Sequence, residues 1–223
     1  MEISVQGTHE QTVRPEVARL HARAHAEAGG KDEVLRTATD VVQQLSGELN
    51  RLKEAGAVRE VVVRPISTSS WRPVARGRQQ PPIYRADASL QADFTDFAAL
   101  ADLAARFGAV DGLELNWVEW RLTDATRLEL EAVCLTRAVE QARERALVMA
   151  RAAGESSVAF VQLADPGLLT DNPIRREAFE APPAMGAMMR SAKMADELAG
   201  IELQPEDLTV SGTVQARFVT TQG

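Results

Sequence analysis

From Thr123 to Ala153 the chain runs for roughly 30 residues without a proline or a glycine. A helix of that length is a rod of about 45 Å, at about 1.5 Å per residue, and it needs a surface to lie on. Leu128, Ala132, Leu135, Val139, Ala142, Ala146, Met149 and Ala153 recur at alternating steps of four and three. That spacing predicts one apolar stripe. Glu129, Arg137, Glu140, Arg143, Glu144 and Arg151 fall mostly off it, so the charged face can pair with itself. Thr123 or Asp124 supplies an N-terminal cap, and Gly154 supplies a left-handed stop. The stripe is rich in alanine, so its partner surface can approach closely. A helix packed on a sheet is the expectation. A coiled-coil seam to another subunit is the alternative, because the stripe lasts about four heptads, although alanine makes a weak knob.

The rest of the chain reads as strands with two more helices. Glu2–Gly7 alternates as a short strand, and residues 8–15 are a loop or its continuation. In Val17–Glu27, Ala18, Leu20, Ala22, Ala24 and Ala26 alternate with Arg19, His21, Arg23, His25 and Glu27, a half-buried strand with a wet, charged side. Lys31–Ala55 is an amphipathic helix closed by Gly56, and residues 58–71 are a strand centred on Val61, Val62 and Val63. Residues 73–82, with three prolines and a glycine, predict an irregular tip between that strand and the next, Ile83–Thr95. Asp96 caps a short helix to Phe107. Leu113–Leu122 is a strand whose two faces are both partly apolar, Leu113, Leu115 and Trp117 against Val118, Trp120 and Leu122, which predicts burial on both sides or an interface. Strands at 157–163 and 208–220 flank an irregular Pro- and Met-containing insert at about 165–206. Strand–helix–strand occurs twice, at about 16–72 and 83–122, a weak internal repeat. Hairpin links favour antiparallel pairing in an α+β fold.

Composition narrows the chemistry. With 25 Lys and Arg against 32 Asp and Glu, the formal net charge is −7, a poor basis for binding nucleic acid. Aromatic residues are 4% of the chain, too few for base-stacking platforms. No run of about 18 apolar residues is present to span a membrane. MEISVQG has neither a basic nor an apolar leader segment, and a cytoplasmic location is expected. The one cysteine, Cys134, sits in the long helix as a small packed side chain rather than a nucleophile. His21 and His25 lie about 13 Å apart along their strand, too far to share a metal ion. Met185, Met188, Met189 and Met194 lack the Cys or His neighbours of a copper site, so a flexible apolar flap or contact surface is expected there. GxxxxGK[ST], GxGxxG, HExxH, CxxC and GxSxG are all absent, so no catalytic residue, cofactor or metal ligand is assigned.

Several loose pieces stand in a telling order: Ile3-Ser-Val-Gln-Gly7, Pro15-Glu-Val-Ala18, Glu54-Ala-Gly56, Ile66-Ser-Thr68, Tyr84-Arg-Ala86, the helix pattern from Ala132 through Ala142-Arg143 to Gly154, and a closing strand after Pro205. Their order and spacing resemble the SIMPL-domain family, whose function is unknown and which includes periplasmic immunogenic antigens of bacteria. The resemblance spans essentially the whole chain as one domain, 1–223. It implies an α+β fold of two related βαβ-type halves with a mainly antiparallel sheet, the long Ala-rich helix packed on it, and a tendency to form oligomers. It brings no catalytic residue to carry over. Many such relatives carry a signal peptide, and none is seen here.

Three functional readings follow. A non-catalytic oligomeric scaffold or stress-related assembly would use Trp117, Trp120, Met185, Met188 and Met189 as interface. A binding module for an acidic partner or a small molecule would use Arg72, Arg76, Arg78 and Arg85, together with the Met-rich flap. An enzyme would need a deep pocket with convergent polar groups.

Overall fold

Strand alternation organises the larger of two units. In the computed structural model, which describes residues 1–169 and 204–221, β1 (Glu2–Val13) is followed by β2 (Val17–Ala28). Along β2, Ala18, Leu20, Ala22, Ala24 and Ala26 are buried, and Arg19, His21, Arg23 and His25 lie on the opposite, half-buried face. Then come α1 (Lys31–Glu54), β3 (Val58–Val63), β4 (Ser67–Trp71), β5 (Val74–Ala75), β6 (Arg78–Gln79), β7 (Ile83–Phe94), α2 (Phe97–Phe107), β8 (Leu113–Arg121), α3 (Asp124–Ala152), β9 (Ser157–Ala164) and β10 (Leu208–Thr221). Among the described residues, one compact unit holds 15–122 with 204–206, and the other holds 1–14, 123–169 and 207–221.

In the first unit the sheet order is β3-β7-β2-β8, with β4 also on β7, and every pairing is antiparallel. β2 and β3 therefore run parallel with β7 between them, and β7 and β8 run parallel with β2 between them. This is the split βαβ arrangement, ferredoxin-like in order, and it accounts for the two strand–helix–strand pieces read from the sequence. The small alanines of β2 leave room for α1 and α2, which bring Leu45, Leu49, Leu100 and Leu103 into one core. The Asp96 side chain accepts hydrogen bonds from the Ala98 and Ala99 N–H groups and starts α2 as expected.

Two expectations for this unit change. β8 carries a bulge: His21 opposes Trp117 and Ala22 opposes Leu115, which leaves Asn116 as the extra residue. The extra residue shifts the alternation by one. Leu113, Leu115, Val118 and Trp120 consequently all pack on the same core, and only Trp117 stays outside, 58% exposed. The strand is one-sided, not two-sided. The second change is at residues 73–82, which are not irregular throughout. β5 and β6 form a small hairpin on a two-residue turn, with Arg76 at φ 53° and Gly77 at φ 73°. Two positive φ angles make it a type I′ turn, whose twist suits the strands it joins.

The second unit is a three-stranded antiparallel sheet, β1-β10-β9, with α3 across one face. Thr123 caps α3 by accepting from the Thr126 N–H, and Gly154 follows it with φ 85°. The expected stripe is only partly right. The buried line is Cys134, Ala138, Ala142, Ala146 and Ala150, while Leu128, Leu135 and Met149 are exposed. A strict step of four follows the ridge inclined about 26° to a helix axis rather than the heptad seam. The sheet beneath is graded to match: Ile3 and Phe218 fill one end, and Gly7 and Gly212 admit the helix backbone at the other. β1 runs on to Val13, the continuation and not the loop. Of the expected insert at about 165–206 only 165–169 and 204–206 are described, so Met185, Met188 and Met189 lie outside the described residues.

Candidate functional site

The polar face of the 15–122 sheet is an ion-paired ladder. The Arg19 guanidinium makes two bonds to the Asp93 carboxylate across β2 and β7, at 2.6 and 2.8 Å. That carboxylate holds Arg19 above the usual arginine range. Arg23 reaches Asp87 at 2.6 Å, and Arg85 reaches Asp87 at 2.9 Å and Glu27 at 3.6 Å. His21 lies 3.4 Å from Glu119 and stacks on Trp117, ring centroids 4.4 Å apart and 15° from parallel. The wet strand face expected from the alternation is thus covered by its own pairs. His21 and His25 each face a separate carboxylate, Glu119 and Glu114.

At one end of this ladder a cleft of about 490 Å³ opens, with His25, Glu27, Glu33, Arg85, Asp111 and Glu114 among its lining residues. Gly112 shapes its wall. It adopts φ 76°, its carbonyl accepts from the His25 N–H at 2.7 Å, and a Cβ there would lie 2.6 Å from the His25 carbonyl oxygen. The His25 Nδ1 atom is buried without a hydrogen-bond partner among the described residues, 3.9 Å from Glu114. The lining leans acidic, with Glu27, Glu33, Asp111 and Glu114 against Arg85. Among the described residues no three His, Cys, Asp or Glu side chains are grouped to share a metal ion.

The four arginines singled out in the sequence separate. Arg85 belongs to the ladder. Arg72, Arg76 and Arg78 stay together on or beside the β5–β6 hairpin, are exposed, and make no ion pair among the described residues. Trp71 and Val74 stand beside them at 52% and 67% exposure. The two tryptophans separate as well: Trp120 meets the Phe97 ring edge-on at 5.0 Å, and Trp117 faces outward on His21.

A further surface was missed in the sequence. β9 pairs only with β10, so its other edge is free among the described residues. It carries Phe160, Val161 and Leu163 at 45%, 56% and 51% exposure, and no charged residue lies between Ser157 and Ala164. The signal was its unbroken apolar run, which does not alternate as a half-buried strand should.

Residues 3–218 match a family model described as SIMPL, protein of unknown function (DUF541). The chain belongs to the SIMPL family. No curated protein matches it. This SIMPL protein has the α+β architecture expected of it, and among its described residues no helix is long and apolar enough to cross a membrane.

Proposed function

We propose that this SIMPL protein is a non-catalytic, self-assembling protein of the cytoplasm whose copies form a scaffold or stress-related assembly. The observation that supports the reading most is the edge of β9 that no strand pairs among the described residues. An unpaired row of backbone N–H and C=O groups is a template for another strand, and natural edges are usually blunted with charge or proline. β9 has neither between Ser157 and Ala164. Light scattering behind a sizing column tests the reading: a discrete multimer is expected at micromolar concentration, and a clean monomer overturns it. Val161→Lys places a charge on the edge and should shift the multimer toward smaller species. Separation of cytoplasm from envelope checks the compartment.

The second reading is a module for an acidic partner. It is favoured by Arg72, Arg76 and Arg78, which have no carboxylate of their own among the described residues. Charge reversal at Arg76 and Arg78 should abolish such binding.

A further inference from the structure

From Val61 to Ala86 the chain has no Asp or Glu, although acids make up 32 of its 223 residues, roughly one in seven. Arg64, Arg72, Arg76, Arg78 and Arg85 all fall in this stretch, and only Arg85 is paired within the described residues. An acidic chain has thus gathered a segment of one sign around the β5–β6 hairpin. The hairpin continues past the last sheet pair, Trp71 with Ile83, and is closed by the type I′ turn at Arg76 and Gly77. The Gln80 N–H donates to the Pro73 carbonyl at 2.8 Å, which ties the two sides of the tip together. Trp71, Arg72, Val74, Arg76 and Arg78 are all exposed.

We propose that this tip, Trp71 to Arg78, docks on an anionic phospholipid surface, with its arginines on lipid phosphates and Trp71 at the level of the headgroups. The inference rests on the acidic-partner reading and names the partner. Charge complementarity gives the sign: guanidinium groups pair with phosphate oxygens through two parallel N–H bonds. The neighbouring side chains choose the class. An acidic peptide would be held by a groove with placed donors, and a two-residue turn at a hairpin end is convex. The unit's acidic cleft contains none of these tip residues. A bilayer needs no groove. It accepts a convex tip, and its interface is where an amphipathic indole and a neighbouring valine are both satisfied. The net charge of −7 does not forbid this, because at physiological salt charges more than about 8 Å away are largely screened.

Each arginine near an anionic surface strengthens binding about fivefold. Sedimentation with phosphatidylglycerol-containing vesicles should bring the full chain down, and pure phosphatidylcholine vesicles should not. Arg76→Glu with Arg78→Glu should weaken that binding at least about 25-fold, with an unchanged melting temperature because neither side chain makes an ion pair among the described residues. Trp71→Phe should remove the blue shift of tryptophan emission on vesicles. No sedimentation with the anionic vesicles overturns the proposal, as does sedimentation that the double reversal leaves unchanged. Capture on immobilised polyglutamate without vesicle binding also overturns it, while leaving the acidic-partner reading in place. Loss of both sinks that reading as well.

Discussion

Gly7 and Gly212 govern how closely α3 lies on its sheet. A Cβ on Gly7 would stand 2.0 Å from the Ala138 carbonyl oxygen and 2.8 Å from the Ala142 nitrogen, and one on Gly212 would stand 2.6 Å from the Cys134 carbonyl carbon. These neighbours are backbone, so the helix itself would have to move. Gly7→Ala should therefore lower stability by about 2–3 kcal/mol, in the range of other overpacked sites. Gly47→Ala, in α1 with nothing within 4 Å of the new atom, should raise it by about 0.5–1 kcal/mol. Urea midpoints of the two variants check the pair, and a Gly7→Ala protein as stable as the parent would refute this account of the interface. None of this was legible in MEISVQG, where a glycine reads as the end of a strand. Cys134 was legible as a packed side chain: it is wholly buried, and its Sγ donates to the Val210 carbonyl at 3.4 Å.

Elements were legible where one periodicity ran unbroken. β2 shows its period of two along its whole length, and α1 buries Val34, Ala38, Val41, Val42, Leu45 and Leu49 as its spacing requires. Legibility failed where a periodicity was interrupted or ambiguous. The extra Asn116 in β8 inverts the second half of that strand, which a straight alternation cannot anticipate. On α3, alanines occur on several faces, so a heptad stripe and an i+4 row were both available, and only the glycines of the facing strands select the second. The bulge has a measurable consequence. Trp120→Ala should cost about 2–3 kcal/mol and Trp117→Ala less than about 1 kcal/mol; the reverse order in denaturant melts would refute the shifted alternation. The clamp between the two helices gives a pH signature. Glu48 of α1 lies 2.7 Å from Arg51 and 2.6 Å from Arg106 of α2, and hydrogen bonds from these two, Arg51 first, lower its pKa to about 2. A folded pKa below the unfolded one means that the stabilisation is complete above about pH 5 and is lost as pH falls toward 2. The arginine side chains are 66% and 50% exposed, so solvent reduces the benefit to about 1 kcal/mol. Glu48→Gln should therefore be less stable than the parent by about that much at pH 7, and the gap should close as the pH is lowered through 4 to 2. A gap that persists at pH 2 would mean that the carboxylate charge is not its source.

At the scale of the molecule, the two units differ in how the chain supplies them. Each core cluster draws its residues from one unit: Ala18 through Leu113 for the ferredoxin-like sheet, and Ile3, Val5, the α3 alanines and Val214 to Phe218 for the other. Among the described residues the first unit is one continuous run of chain apart from the short piece at 204–206, and the helices and strands of that run join over short connections. The second is discontinuous, and its central pairing joins Glu2 to Val219, nearly the full length apart. Closing so long a loop before any contact rewards it is slow, and that makes the second unit the later to form. A fragment spanning 15–122 should then fold by itself, because the strand pairs of its sheet, its helix cap and its hydrophobic core all lie inside it. The expected readout is a single cooperative urea transition with protected amides in β2 and β7. A fragment of dispersed, unprotected amides would show that the sheet depends on chain outside 15–122. In the full chain the same order predicts that amides of β1 and β10 gain protection after those of β2 and β7 during refolding. Simultaneous protection would place the long-range pairing in the first folding step and remove the distinction between the two units as folding elements.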